Sequence, residues 1–119
     1  IFNLFPILGE RKNQQAVTLS GGEQQMCAIA RGLLSSPRLL LLDELSLGLA
    51  PVMVDRLVQA IREIHQSREI SIFLVEQDVQ TGFELASRGY IIETGRIVAE
   101  DSSQNLLNDN RIREAYLGI

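Results

Sequence analysis

The sequence predicts an α/β fold in which short buried strands of a parallel sheet alternate with amphipathic helices. Three observations carry this expectation. Residues 39–42 are four consecutive leucines closed by Asp43-Glu44, and residues 70–75 are rich in β-branched and aromatic side chains. Apolar runs of this kind, without polar alternation, suit strands buried on both faces of a sheet. The segments before and between them repeat their apolar residues with a helical period, and strand alternating with helix is the pattern of a parallel sheet.

The elements follow in order. Residues 1–8 are mostly apolar and begin at Ile1 rather than Met, so they read as the continuation of a structure that starts upstream. Ser20 opens a helix to about residue 35, with Met26, Ile29, Ala30, Leu33 and Leu34 on one face. Ser36-Pro37 ends it, because proline pushes the residue before it out of the α region. Pro51 suits the first turn of a second helix, whose inner stripe is Val54, Leu57, Val58, Ile61 and Ile64. Asp55, Arg56, Arg62 and Glu63 fall outside that stripe. After the strand at 70–75, a helix runs through Phe83, Leu85 and Ala86. Extended runs at 90–93 and 96–100 flank Thr94-Gly95, a two-residue hairpin signal. Two short helices near 103–107 and 110–116 complete the chain.

With 119 residues there is room for one core and not two. A hydrophobic share of 45% excludes a disordered or collagen-like chain. The net charge of −4 argues against a nucleic-acid or anionic-membrane surface, which needs a basic footprint. Cys27 is the one cysteine, so no internal disulfide can form, as expected in a reducing compartment. No apolar run is long enough to span a bilayer, and no signal peptide is visible.

Two segments carry chemistry. In Leu19-Ser20-Gly21-Gly22-Glu23-Gln24-Gln25, Ser20 and Glu23 form the S-x-x-E pattern of a capping box, which by itself is only a well-made helix start. The capping box does not explain Gly21-Gly22, since each glycine weakens a helix by about 1 kcal/mol relative to alanine. Two glycines there leave backbone N–H groups bare at the positive end of a helix, which suits an anion, phosphate above all. The second segment is Asp43-Glu44 at the end of the leucine run. The C-terminal ends of parallel strands line the ligand crevice, and adjacent carboxylates there suit a Mg²⁺ ligand and a residue that orients or deprotonates water. A strand ending at a solvated acidic turn accounts for the pair equally well when it is taken alone.

Together, in this order and about twenty residues apart, the two segments closely resemble the ATPase subunits of ABC transporters: the signature motif, then the Walker B strand. Ser46-Leu47-Gly48-Leu49-Ala50-Pro51 is similar to their D-loop region. Phe73-Leu74-Val75-Glu76-Gln77-Asp78 falls at their switch, and Gly89 to Arg96 at their C-terminal hairpin. The tail Ala115-Tyr116-Leu117-Gly118 is similar to the branch that serves branched-chain amino acid importers. The resemblance spans essentially the whole chain. It implies the C-terminal half of a P-loop NTPase domain, with residues 1–36 in the helical subdomain and 37–119 in the catalytic core and C-terminal end.

The resemblance also assigns roles. Ser20, Gly21 and Gly22, with Glu23 beside them, would bind the γ-phosphate of ATP held by an opposite subunit. Asp43 would serve Mg²⁺, and Glu44 would be the catalytic carboxylate. Gln77 stands at the switch position, where most relatives have histidine; it can hydrogen-bond but cannot take up a proton as imidazole does. Ala50 stands where many relatives carry the D-loop aspartate, and Leu45 replaces the usual proline after Glu44. The 119 residues contain no G-x-x-x-x-G-K-[ST], and Lys12 is their one lysine, so a cradle for the α- and β-phosphates is absent from them. The strand leading to that loop would lie between residues 70–75 and 90–93, and without it two inner sheet edges stay unpaired. The isolated chain is therefore expected not to hydrolyse ATP and to be poorly stable.

The expected partners are a second ATP-binding subunit and transmembrane permease subunits at the cytoplasmic face of the membrane, with no nucleic acid and no insertion into the bilayer. Two other functions compete: a non-catalytic split module that binds a partner, and the C-terminal lobe of a DNA-repair or chromosome-type ABC ATPase. The second would show a heptad segment before the signature and a basic patch. His65 is expected to be exposed without a partner, Cys27 to be a packed thiol, and Arg31 and Arg38 to make surface ion pairs.

Overall fold

The computed structural model describes all 119 residues, in two compact units, Ile1–Leu74 and Val75–Ile119. Each unit has its own buried residues, so the single core expected from the chain's length is divided in two. The strands form two separate two-stranded sheets. The division expected at residue 36 lies inside the first unit and remains a proposal about lineage rather than compactness.

In the first unit, helix α1 (Pro6–Glu10) and a 3₁₀ turn (Ala16–Thr18) precede helix α2 (Gly21–Leu34). Strand β1 (Leu39–Asp43), helix α3 (Pro51–Ser67) and strand β2 (Ser71–Val75) follow as a β-α-β crossover with β1 beside β2, the parallel arrangement expected. Phe5, Met26, Ile29, Leu33, Leu57, Ile61 and Ile64 are buried and form the helical part of the core. Each contributes roughly 1.5–3 kcal/mol through the apolar surface it removes from water.

Helix α2 ends in a way proline dictates. Ser36 adopts a left-handed φ of +50° and its N–H reaches Leu33 O at 3.0 Å, one bond of a Schellman stop. The companion bond needs the N–H of residue 37, which Pro37 lacks. The Ser35 hydroxyl replaces it, donating to Gly32 O at 2.8 Å. Ser36 is thus excluded from the helix, but by a left-handed turn rather than the extended backbone usual before proline.

Three expectations need correction. Leu34 is 72% exposed and does not belong to the inner face of α2. The strands are not buried on both faces: Leu40 is buried, whereas Leu41 is 67% exposed and Phe73 57%. Side chains alternate across a strand, so one face of this sheet packs and the other has nothing over it. His65 does have a partner, since its Nδ1–H lies 3.2 Å from Ile70 O; a carbonyl can only accept, so the proton sits on Nδ1. Cys27 is partly buried and unpaired.

In the second unit, helix α4 (Val79–Leu85) leads into hairpin strands β3 (Arg88–Glu93) and β4 (Arg96–Ser102). Thr94 and Gly95 have φ of +47° and +74°, the two positive angles that a type I′ hairpin turn requires. Ile91 pairs with Ala99 and Ile92 with Ile97, which leaves Val98 as the extra residue of a bulge. Arg88 and Glu100 bridge the strands at 2.6 Å, and the Arg88 guanidinium lies 5.8 Å from the centre of the Tyr90 ring. Helices α5 (Ser103–Asn108) and α6 (Asn110–Ile112) and a π turn (Arg113–Leu117) finish the chain. Phe83, Ile91, Leu106 and Ile112 form the core of this unit, and the Tyr116 hydroxyl donates to Glu93, tying the tail to the hairpin.

Ser103 is the exception to good polar pairing here. Its side-chain oxygen is buried and has no hydrogen-bond partner, although its N–H reaches Ser87 O at 3.0 Å. A buried hydroxyl left unpaired costs about 1–3 kcal/mol. Ser103→Ala is therefore expected to leave stability unchanged or raise it by about 1 kcal/mol, because alanine is also the better helix former. The urea midpoint of the two proteins measures this; a clearly lower midpoint for the alanine protein would show that the hydroxyl has a partner.

Candidate functional site

The site begins at the start of α2. Ser20 has extended backbone angles (φ −61°, ψ 160°) and its Oγ accepts from Glu23 N at 3.3 Å. Glu23 Oε2 in return accepts from Ser20 N at 2.9 Å, completing the expected capping box. The other oxygen of Glu23 lies 3.4 Å from Arg11 Nε. Of the four N–H groups a helix start leaves without an intrahelical acceptor, those of Ser20 and Glu23 are thus used, and those of Gly21 and Gly22 remain.

The two glycines have different reasons to be glycine. Gly22 is buried against α3, where a Cβ would lie 2.3 Å from Met53 Cε and 3.1 Å from Met53 Cγ. Gly21 is exposed, and a Cβ there would make ordinary contact with Leu49 at 3.5 Å. The close approach of two helices explains Gly22. The open, positive helix end is left to Gly21 and the Ser20 hydroxyl. Gly21 borders a shallow groove of about 380 Å³ whose lining also includes Gln24, Leu47, Gly48 and Leu49.

The far wall of that groove belongs to the loop after β1. Asp43 is the last residue of β1 and is exposed, while Glu44 is half-buried. Glu44 has φ +52°, a left-handed conformation that costs a non-glycine residue of order 1–3 kcal/mol. Buried Leu45 anchors the loop beneath it. Two turns then carry the chain to α3: Leu47 N donates to Glu44 O at 3.3 Å, and Leu49 N to Ser46 O at 3.2 Å, with Gly48 at φ +72°. Strain concentrated at one acidic residue, at the C-terminal end of a parallel strand, marks Glu44 as a functional candidate on physical grounds alone.

Gln77 lies in the second unit, exposed, between β2 and α4. The next residue caps α4: Asp78 Oδ1 accepts from Thr81 N at 3.3 Å and Oδ2 from Thr81 Oγ at 2.9 Å. The first unit therefore brings together Ser20, Gly21, Gly22 and Glu23, and holds Asp43 and Glu44 at the end of its strand, while Gln77 belongs to the other unit.

The sequence model of the family described as ABC transporter matches residues 2–46, which include the capped glycine helix and Asp43-Glu44. The high-affinity branched-chain amino acid transport ATP-binding protein BraG of Pseudomonas aeruginosa is 48% identical over 118 residues, 99% of this chain and 50% of BraG. Along nearly its whole length the chain is similar to ATP-binding proteins of ABC transporters. The probable branched-chain amino acid transport ATP-binding protein LivF of Archaeoglobus fulgidus is 32% identical over 97% of this chain and 49% of its own length. A crystal structure of an ATP-binding cassette of an ABC transporter in its ADP conformation superposes with TM-score 0.75, at 26% identity, over 98% of this chain and 49% of that one. The chain spans about half the length of the relatives it matches.

Within this ABC framework, the residues fit part of a nucleotide site. The Ser20 hydroxyl and the Gly21 N–H suit one phosphate, and no residue of the chain offers the glycine-rich cradle for the other two. Asp43 offers a single carboxylate, and no group of three or more His, Cys, Asp or Glu side chains gathers anywhere. That set suits Mg²⁺, which takes one or two carboxylates and fills its remaining positions with phosphate oxygens and water. No helix is long and apolar enough to cross a membrane. Sequence reasoning missed two features of the site: the left-handed Glu44, which no residue type announces, and the side-chain amides that hold the segment before Ser20.

Proposed function

We propose that these residues are the signature-bearing half of an ATP-hydrolysing subunit that drives an ABC importer for branched-chain amino acids. The observation that carries the reading is the groove in which an open, capped glycine helix start faces the loop that follows a strained Glu44. Ser20 and Gly21 hold the terminal phosphate of ATP bound mainly by a second subunit. Asp43 serves Mg²⁺, and Glu44 orients and deprotonates the attacking water. Gln77 acts on a terminal phosphate or a water by hydrogen bonding rather than by taking a proton. Membrane-embedded permease subunits at the cytoplasmic face receive the motion. The names of the BraG and LivF relatives support the choice of solute.

Titration with Mg-ATP tests the division of labour. The 119-residue chain is expected to show no saturable binding, and the intact subunit carrying it to bind and hydrolyse. Saturable binding by the chain alone would mean that it holds a complete phosphate site, and the reading of a half site would fall.

A second reading, a non-catalytic module that docks a partner, is favoured by the uncovered sheet face at Leu39, Leu41 and Phe73. An intact subunit that binds no ATP would select it.

A further inference from the structure

From residue 10 to residue 18 the segment that leads to Ser20 has no apolar anchor. Every residue from 10 to 18 is exposed, and neither α1 nor the 3₁₀ turn contains a buried residue. Ordered backbone without a packed side chain needs another restraint, and two side-chain amides supply it. Gln24 Nε2 lies 3.3 Å from Ala16 O, 3.3 Å from Val17 O and 3.2 Å from Leu19 O. Gln14 Nε2 lies 3.1 Å from Thr18 O and 2.9 Å from Thr18 Oγ1. The four successive carbonyls of residues 16–19 thus each face an amide donor. Three carbonyl partners also fix the orientation of the Gln24 amide, because its own oxygen could bond none of them.

Gln24 works from both directions. Its backbone N–H closes the first turn of α2 on Ser20 O at 2.8 Å, while its side chain reaches back over the segment before Ser20. Arg11 joins the same network, donating to Gln14 Oε1 at 3.0 Å and pairing with Glu23, the capping partner of Ser20.

We propose that Gln24 is a positioning residue for Ser20: with Gln14 and Arg11 it forms an amide clamp that sets where the serine hydroxyl and the Gly21 N–H are presented. The clamp requires a donor at position 24. A lysine there keeps a donor of similar reach, whereas a glutamate of nearly the same shape turns a carboxylate toward three carbonyl oxygens. The consequence for phosphate rests on the function proposed above; the clamp does not.

Hydrogen exchange on the intact subunit without nucleotide tests the clamp. Gln24→Glu is expected to speed exchange of the amides of residues 17–20 about tenfold or more, as loss of net hydrogen bonding predicts, with β1 and α3 unchanged. Trypsin cleavage after Arg11 and Lys12 should accelerate in parallel, and Gln24→Lys should restore both. Unchanged exchange in Gln24→Glu, or a general loss of protection across α3 as well, overturns the clamp. In the intact subunit, Gln24→Glu should raise KM for ATP about tenfold with the melting temperature preserved, and Gln24→Lys should rescue it. Faster exchange with an unchanged KM overturns the role in presenting Ser20. A wild-type subunit that hydrolyses no ATP defeats the proposed function instead, and the exchange comparison then decides the clamp alone.

Discussion

Glu44→Gln in the intact subunit is expected to lower ATP hydrolysis by about 10²–10⁴, the usual contribution of a positioned general base, while ATP binding persists. The substitution is nearly isosteric, so it leaves the turn that Glu44 O makes with Leu47 N and the burial of Leu45 beneath it. What it removes is the charge and the capacity to accept a proton. The left-handed backbone of Glu44 supplies a control. Glycine is at ease at φ +52°, so Glu44→Gly should relieve the backbone strain while losing the same activity. A paired reading of melting temperature and turnover therefore separates chemistry from folding. Hydrolysis at the wild-type rate in Glu44→Gln would remove this residue from the mechanism, and Asp43 would become the first alternative to examine.

Gly89→Ala should be the most damaging single methyl in the second unit. A Cβ at residue 89 would lie 2.3 Å from Cε1 and 2.9 Å from Cδ1 of Phe83, and 3.1 Å from Leu106 Cδ1. Phe83 and Leu106 are themselves core residues with Ile91 and Ile112, so the ring has no free volume to turn into. Overpacking of this kind costs about 1–3 kcal/mol. The urea midpoint should fall accordingly, and protection of amides in β3 and α5 should fall with it. Phe83→Leu placed on top of Gly89→Ala should recover part of the loss, because the smaller side chain vacates the space. The comparison with Gly22 is instructive. A Cβ there meets the same 2.3 Å approach, but to the terminal methyl of Met53, which can rotate away. Gly22→Ala should therefore cost less than Gly89→Ala despite the equal distance.

Local rules make much of this protein legible in its sequence. The capping box at Ser20 and Glu23, the stop at Ser36-Pro37 and the Thr94-Gly95 turn depend on residues within four positions of one another. Their chemistry is complete in the sequence, and each is found where expected. The periodicity of residues 51–64 likewise identified Leu57, Ile61 and Ile64 as buried. The pairing of a glycine-rich helix start with Asp43-Glu44 was enough to bring the ABC family into view from residue types alone.

What failed was whatever depended on a neighbour from elsewhere in the chain. Four leucines state that a strand is apolar, but whether Leu41 is covered depends on a second layer, and here one face has none. Leu34 satisfies the helical period and still faces solvent, since a stripe is only as wide as the surface that meets it. Gly21 and Gly22 look alike in sequence; the approach of Met53 from α3 separates a packing glycine from an open one. The strain at Glu44 and the amide clamp around residues 16–19 were equally hidden. Glutamate does not favour a left-handed φ, and glutamines at positions 14 and 24 carry no signal of what they hold. The sequence by itself determined the helices, turns and chemical inventory, because capping, periodicity and turn chemistry act over a few residues. Burial, strain and the placement of Ser20 were decided only by tertiary structure, because each is a property of two segments meeting in space.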